Sequence, residues 1–280
     1  MIKSIEPLIT FIRYGLFLCK TADKSMQLSK WVWLLLIPFL HIAEVVAQET
    51  QKLKFGLVAG PNFSWLKSRT PELDGRGAKV GFQYGLFADF AFKANPRYYF
   101  SSGVLFRHMY LPLQYNAADK IGTALLPTER SGVLSANYLY VPTALKMRTD
   151  EIGYSVFSGI FGLSTGFRLR GEESYDTQYL FGAKRFTGPL FERDMSDKLS
   201  AIVLSFDIGI EWERKISGNT YFTFGFQFNN GITNLLNMRG YAQNTGGITD
   251  MSLVLPNGEG QGTQLKANPR SLSLNFGIYF

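Results

Sequence analysis

Residues 200–213 read SAIVLSFDIGIEWE, and the alternation in this stretch decides the fold class. Ile202, Leu204, Phe206, Ile208, Ile210 and Trp212 share one face of an extended chain, and Ser205, Asp207, Gly209, Glu211 and Glu213 share the other, because successive strand side chains point to opposite sides. The same period runs through residues 221–229, where Phe222, Phe224, Phe226 and Phe228 oppose Thr223, Gly225, Gln227 and Asn229. The chain ends on it as well, with Leu272, Leu274, Phe276, Ile278 and Phe280 alternating with Ser271, Ser273, Asn275, Gly277 and Tyr279. Residues 54–66, 80–92, 98–113, 137–148 and 154–169 follow the pattern less regularly, which brings the total to eight segments. At about 9 to 16 residues each, they exceed the usual soluble strand and are long enough to cross a bilayer at a tilt.

The connections carry a second signal. Residues 93–97, 149–153 and 214–220 are short and rich in turn formers, whereas 67–79, 114–136, 170–199 and 231–270 are long. Short turns at one end and long connections at the other are the pattern of an outer-membrane barrel, with the short turns in the periplasm. The expectation is therefore an all-β, eight-stranded antiparallel up-and-down transmembrane β-barrel with four long external loops.

Alternation does not say which face points inward, and a soluble periplasmic barrel that binds a ligand has the same period. Volume separates the two. The interior of an eight-stranded barrel is only just filled by side chains, so roughly forty large apolar residues cannot lie inside. The other face offers Gly85, Gly103, Ser158, Gly162, Gly166, Ser205, Gly209, Gly225, Ser273 and Gly277, which suit a narrow lumen. It also carries Asp89, Arg107, Lys146, Arg168, Asp207, Glu211 and Gln227. Polar groups of both signs are costly in lipid but can pair when turned inward. They are expected to form a polar network that plugs the lumen, with an ion path or binding site as the functional alternative. Aromatics near strand ends, among them Trp65, Tyr98, Tyr110, Tyr138 and Tyr221, suit interfacial girdles. Pro142 lies within an expected strand and should bring a local irregularity.

Before the strands lies WVWLLLIPFL (residues 31–40), preceded by Lys30 and followed by Val45-Val46-Ala47. This run is too short to span a bilayer and has the layout of a secretory signal peptide. Residues 1–47 are expected to be the signal, cut between Ala47 and Gln48, with residues 48–280 as the barrel. A second apolar patch at 8–18 makes Met26 a plausible translation start. Cleavage would remove Cys19, the only cysteine, and leave a net charge of +5. That charge is mild and scattered, so no nucleic-acid partner is expected.

Several stretches together resemble the PorT-type outer-membrane β-barrel family. These are KFGLVAGPNFSWL with Gly56, Gly60 and Asn62, GFQYGLFADF (81–90), LYVPTALKM around Pro142, FDIGIEWE (206–213) and the closing LNFGIYF. The resemblance implies an eight-stranded barrel inserted by the outer-membrane assembly machinery, which reads a terminal aromatic such as Phe280. It also implies a link to type IX secretion, the pathway of the family's founding member, and it assigns no functional residues.

Catalytic and metal motifs are sparse. His108 is the only mature histidine, and Ser131, Ser174 or Asp176 would be its partners in a hydrolytic site. Its phase matches Phe100, Val104, Phe106 and Tyr110, which favours a place in the outward aromatic belt. Glu172, Glu173 and Asp176 read as a solvated acidic turn sooner than a cation site. The glycines of 258–262 lack the lysine and the setting of a phosphate loop. The sequence thus points to a non-enzymatic, cofactor-free protein of the Gram-negative cell outer membrane. Its expected partners are outer-membrane lipids, the assembly machinery, and an envelope protein or polysaccharide met by the external loops. The rival is a small transport or enzymatic barrel.

Overall fold

Alternating residues build a long antiparallel sheet in the computed structural model, which describes residues 53–121, 124–181, 184–240 and 263–280. The signal segment 1–47, the Ala47–Gln48 cleavage site and Gly258–Gly262 lie outside the described residues. In chain order the strands are β1 (Leu53–Ser68), β2 (Leu73–Gly75), β3 (Lys79–Phe92), β4 (Asn95–Ile121), β5 (Ala124–Arg148) and β6 (Ser155–Phe181). They continue as β7 (Lys184–Asp194), β8 (Ile202–Ser217), β9 (Thr220–Gly231), β10 (Arg239–Gly240), β11 (Thr263–Gln264) and β12 (Ala267–Tyr279), with a 3₁₀ turn at Ser196–Lys198. Eight of them run around a ring in the order β4–β3–β1–β12–β9–β8–β6–β5, and β4 also pairs with β5. β2 adds to β4, β7 adds to β6, and β10 and β11 pair with each other.

This corrects the expected eight-stranded transmembrane barrel with four long loops. The described residues form an all-β fold of twelve strands, with eight of the twelve in the ring. Most of 114–136 and 170–199, expected as loops, is strand: β4 and β5 pair as far as Ile121↔Ala124, and β6 and β7 as far as Phe181↔Lys184. The physical reason lies in the signal that was read. A strand alternates in polarity only where its two faces meet different surroundings. In these ribbons polar residues stand on both faces, Gln114, Asn116, Ser131, Glu172 and Ser174 on the outer one and Thr128, Glu173 and Thr177 on the inner, so cross-strand pairing leaves little alternation to find.

The ring turns its apolar face outward. Phe55, Leu57, Phe82, Leu86, Phe161, Ile208 and Ile278 are exposed on the outer wall, whereas Asn62, Gln83, Asp89, Arg107, Lys146, Asp207 and Ser273 are buried within. Glycines make room for large inward side chains. At Gly56 a Cβ would lie 2.5 Å from the Tyr279 ring.

Two irregularities shape the sheet. At Pro142 the β4–β5 register is unchanged, but the pairs between Ser102↔Thr143 and Leu105↔Tyr140 are missing. Proline donates nothing to the ladder, and the Ser102 hydroxyl instead donates to the Pro142 carbonyl at 2.9 Å. The register itself shifts farther along, where Asn137 pairs with Arg170 but Tyr138 pairs with Arg168, leaving Leu169 as the extra residue of a β-bulge. Below it the buried residues of β6 are even-numbered, Ser158 and Ser164; beyond it they are odd-numbered, Glu173, Tyr175 and Thr177.

Candidate functional site

The interior is the densest collection of chemistry in the described residues, and it is stacked in tiers. At the end with the short turns, Lys146 on β5 stands among three carboxylates. Its ammonium lies 3.0 Å from Asp89 Oδ2 on β3 and 3.0 Å from Glu213 Oε1 on β8, and it also pairs with Glu211. Arg148 pairs with Glu213, and Lys54 on β1 reaches the same carboxylate at 3.3 Å. The Ser101 hydroxyl donates to Asp89 at 2.6 Å. Aromatic faces complete the tier, with Lys146 Nζ 4.8 Å from the Tyr279 ring and Lys54 Nζ 4.1 Å from that of Tyr221. Lys54, Lys146 and Arg148 balance Asp89, Glu211 and Glu213 in charge, as buried ions require.

The middle tier is a hydrogen-bonded chain. Arg107 Nε donates to Gln83 Oε1 at 2.8 Å, Gln83 Nε2 donates to Asn275 Oδ1 at 2.6 Å, and Asn275 Nδ2 donates to Gln227 Oε1 at 3.2 Å. The Arg107 guanidinium also sits 4.5 Å from the Tyr140 ring. Asp207 forms a separate group, accepting from the Ser164 and Ser205 hydroxyls and from Asn229 Nδ2 at 2.6 Å.

The tier at the far end is apolar. Met195, Leu199, Leu235, Leu236 and Leu265 lie buried against Leu66, Leu105, Met109, Leu111, Leu134 and Tyr138. The segments bearing them are fixed through backbone groups: Met195 N–H donates to the Gly171 carbonyl at 2.8 Å, Ser200 N–H to Leu235 at 2.8 Å, and Leu235 N–H to Ala267 at 2.9 Å. Gly171 is needed here, because a Cβ would stand 2.3 Å from Leu199 Cδ1. Asp194 leads into this cap by accepting the Ser196 backbone N–H at 2.7 Å, and its bonds to Ser196 hold its carboxyl below the usual carboxylate range.

Of the residues expected in one lumen network, Asp89, Lys146 and Glu211 meet directly. Arg107 and Gln227 are linked only through Gln83 and Asn275. Asp207 bonds neutral groups, and Arg168 donates to the Leu199 carbonyl and so belongs to the cap. Lys54, Arg148 and Glu213 complete the ionic tier without having been singled out. Their inward phase at the strand ends is the signal that could have marked them.

His108 stands on the outer wall. Its Nδ1 is 2.9 Å from Asn137 Oδ1 and its ring stacks with Tyr84 at 5.9 Å. Ser131 and Asp176 are cross-strand partners of each other, six positions along β5 from Asn137, or about 20 Å at strand rise. Glu173 is buried while Glu172 is exposed and paired with Arg170, so the two do not converge on a cation. Among the described residues no group of three His, Cys, Asp or Glu is placed to hold a metal. Phe280 leaves the ring exposed on the wall, while its backbone N–H and carbonyl bond Phe55 at 2.8 and 2.9 Å.

Beyond the cap, the ribbons carry their own buried cluster. The Tyr115 hydroxyl and Arg193 Nε reach Glu173 Oε2 at 3.1 and 2.8 Å, and Arg130 and Arg193 lie 4.8 and 5.1 Å from the Tyr175 ring. Burial pushes the Tyr115 hydroxyl well up in pKa.

Comparison with known proteins gives one family and several distant folds. The profile described as "Outer membrane protein beta-barrel domain" matches residues 46–237. Among solved structures, Neisserial surface protein A is 10% identical, with 80% of this chain and 95% of that chain covered and a TM-score of 0.36. Ail, the attachment invasion locus protein of Yersinia pestis, is 14% identical, covering 81% and 98%, with a TM-score of 0.31. The outer membrane protease OmpT from Escherichia coli is 9% identical, covering 83% and 98%, with a TM-score of 0.26. No curated protein matches the sequence.

Proposed function

The chain belongs to the outer membrane protein beta-barrel domain family and is an outer-membrane protein, and from that premise we propose that it works by binding at its long-connection end, with neither catalysis nor transport as its task. The outer wall is seated in lipid, and the ribbons β4–β5 and β6–β7 stand outside to meet an envelope protein or a polysaccharide. The observation that carries this reading is the filling of the interior: a charge-balanced ionic tier and a hydrogen-bonded tier lie beneath an apolar cap, while the ribbons run on beyond it. Groups exposed on rigid paired strands suit recognition, since they are held in place before a partner arrives.

The engagement of His108 with Asn137, away from Ser131 and Asp176, supports a role without catalysis. Within the wider family we assign the chain to the PorT type on its glycine and aromatic segments. Type IX secretion is then the process in which to look for its partner, and the assembly machinery would read Phe280.

The test replaces both ribbon tips with two-residue turns, cutting β4–β5 back to Leu113 and Gly132 and β6–β7 back to Glu173 and Arg193. The shortened protein should still fold and fractionate with the outer membrane but lose capture of its surface partner and the phenotype of the intact protein. Full retention of that phenotype would sink the binding reading.

A further inference from the structure

We propose that the outward face of the β1–β12 pair is a docking site for the phosphate-bearing headgroup of an outer-leaflet lipid. The proposal rests on the reading that the outer wall is seated in lipid.

The geometry comes from the register. On β1 the outward residues Phe63, Trp65 and Lys67 lie beside Leu272, Arg270 and Asn268 of β12. Arg69 and Lys266 continue the next row, joined by a backbone bond of 2.7 Å. Lys67, Arg69, Lys266 and Arg270 are thus gathered on three successive rows, which at two residues per row span about 13 Å. Among the described residues none of the four has an ion pair. The nearest acid in sequence, Glu72, also among the described residues, forms no ion pair with them and has its Oε2 buried without a hydrogen-bond partner, and Asp74 faces Arg76 at 3.8 Å. By contrast, the β6–β7 sector is acidic on its outer face, with Glu172, Glu192 and Asp194.

Two observations make this more than a row of surface cations. Arg270 Nε is buried without a hydrogen-bond partner, so its charge is partly desolvated and is left to be answered at the outer end of the guanidinium. The patch also lies at a fixed height. The row just below Arg270 and Trp65 is Phe228, Leu272, Phe63 and Val80, and Trp65 stacks on Phe228 at 6.2 Å. A tryptophan at the rim of an apolar wall marks the membrane interface. The cations therefore stand where a lipid whose chains lie on the phenylalanine wall would hold its phosphate. Arginine suits that group because its planar fork can bond two phosphate oxygens at once.

The full chain, purified in detergent, would be mixed with diphosphoryl lipid A or with the same lipid stripped of phosphate, and the bound lipid counted by native mass spectrometry. The expected result is at least 10-fold higher retention of the diphosphoryl form, falling with added salt. K67Q/R270Q should bring retention down to the dephosphorylated level, while R214Q/K215Q, at the opposite end of the ring, should leave it unchanged. Heat-modifiable gel mobility checks that each variant is folded. Equal retention of both lipids by the native protein, or salt-independent retention, overturns the proposal even if K67Q/R270Q does not fold. So does complete displacement by micromolar inorganic pyrophosphate, which would make the patch a site for free anions. Loss of the native protein from the membrane fraction would instead defeat the lipid-seating reading.

Discussion

Lys146 reaches Asp89 across an intervening strand, with its ammonium 3.0 Å from the carboxylate although β4 lies between β5 and β3. Because it also meets Glu211 and Glu213 on β8, one side chain ties both flanks of the ring together. Removing one partner of a buried ionic group leaves the others uncompensated, at a cost of about 3–5 kcal/mol. K146M should therefore lower the urea midpoint of the folded, heat-modifiable form by that equivalent. Removing one charge of each sign in K146M/E211Q, which leaves Lys54 and Arg148 against Asp89 and Glu213, should recover part of the loss. A single variant as stable as the native protein would show that the ionic tier is not structurally coupled.

The apolar wall makes a different prediction. Ile210 is 65% exposed on the ring and Leu190 is 63% exposed on β7, so surface area alone ranks them as equals. In lipid an arginine near the midplane costs about 2–4 kcal/mol, whereas in water it costs little. I210R should impair folding into vesicles of outer-membrane lipid, and L190R should not. Equal tolerance of the two would place the phenylalanine wall outside the bilayer.

Tight fit in the cap can be tested by relief of a clash. G171A puts a methyl 2.3 Å from Leu199 Cδ1 and should destabilise by about 1–3 kcal/mol. G171A/L199A should be more stable than the sum of the two single changes, a coupling that a denaturation cycle measures directly. Strict additivity would mean that the two residues do not share the space.

The filled interior predicts electrical silence. In planar bilayers the purified protein should give no steady current at high salt, and thinning the ionic tier alone with K146A should not open one, because the cap remains. Steady single-channel steps from the native protein would favour the transport reading.

How far these features were legible depends on what surrounded each residue. Ile202 to Trp212 and Phe222 to Phe228 face outward while their neighbours face a polar interior, so the contrast was written in alternation and the face assignment could be read. The ribbons show no such contrast, which hid the outer halves of β4, β5 and β6 and the whole of β7. Leu199, Leu235, Leu236 and Leu265 looked like loop residues, although a Leu-Leu pair at 235–236 is more apolar than an exposed loop needs. Partnerships inside the lumen were less accessible still. Asp89 and Lys146 meet because the register sets Asp89 beside Ser101 and Ser101 beside Ala144, one inward row from Lys146 and within reach of its long side chain, and no spacing along one chain encodes that.

Leu169, the extra residue of the β6 bulge, is what lets the buried positions of β6 change from even to odd numbers while every β5 partner keeps its own face. Deleting it would leave Arg170 opposite Asn137 and Glu173 opposite Leu134, so Glu173 and Tyr175 would still point inward. What deletion would take away is the bend and added twist that a bulge gives its strand. The leucine therefore governs the angle at which the ribbon leaves the ring, whereas a single residue inserted or removed above it, with no bulge to absorb the change, would turn the rest of the ribbon inside out.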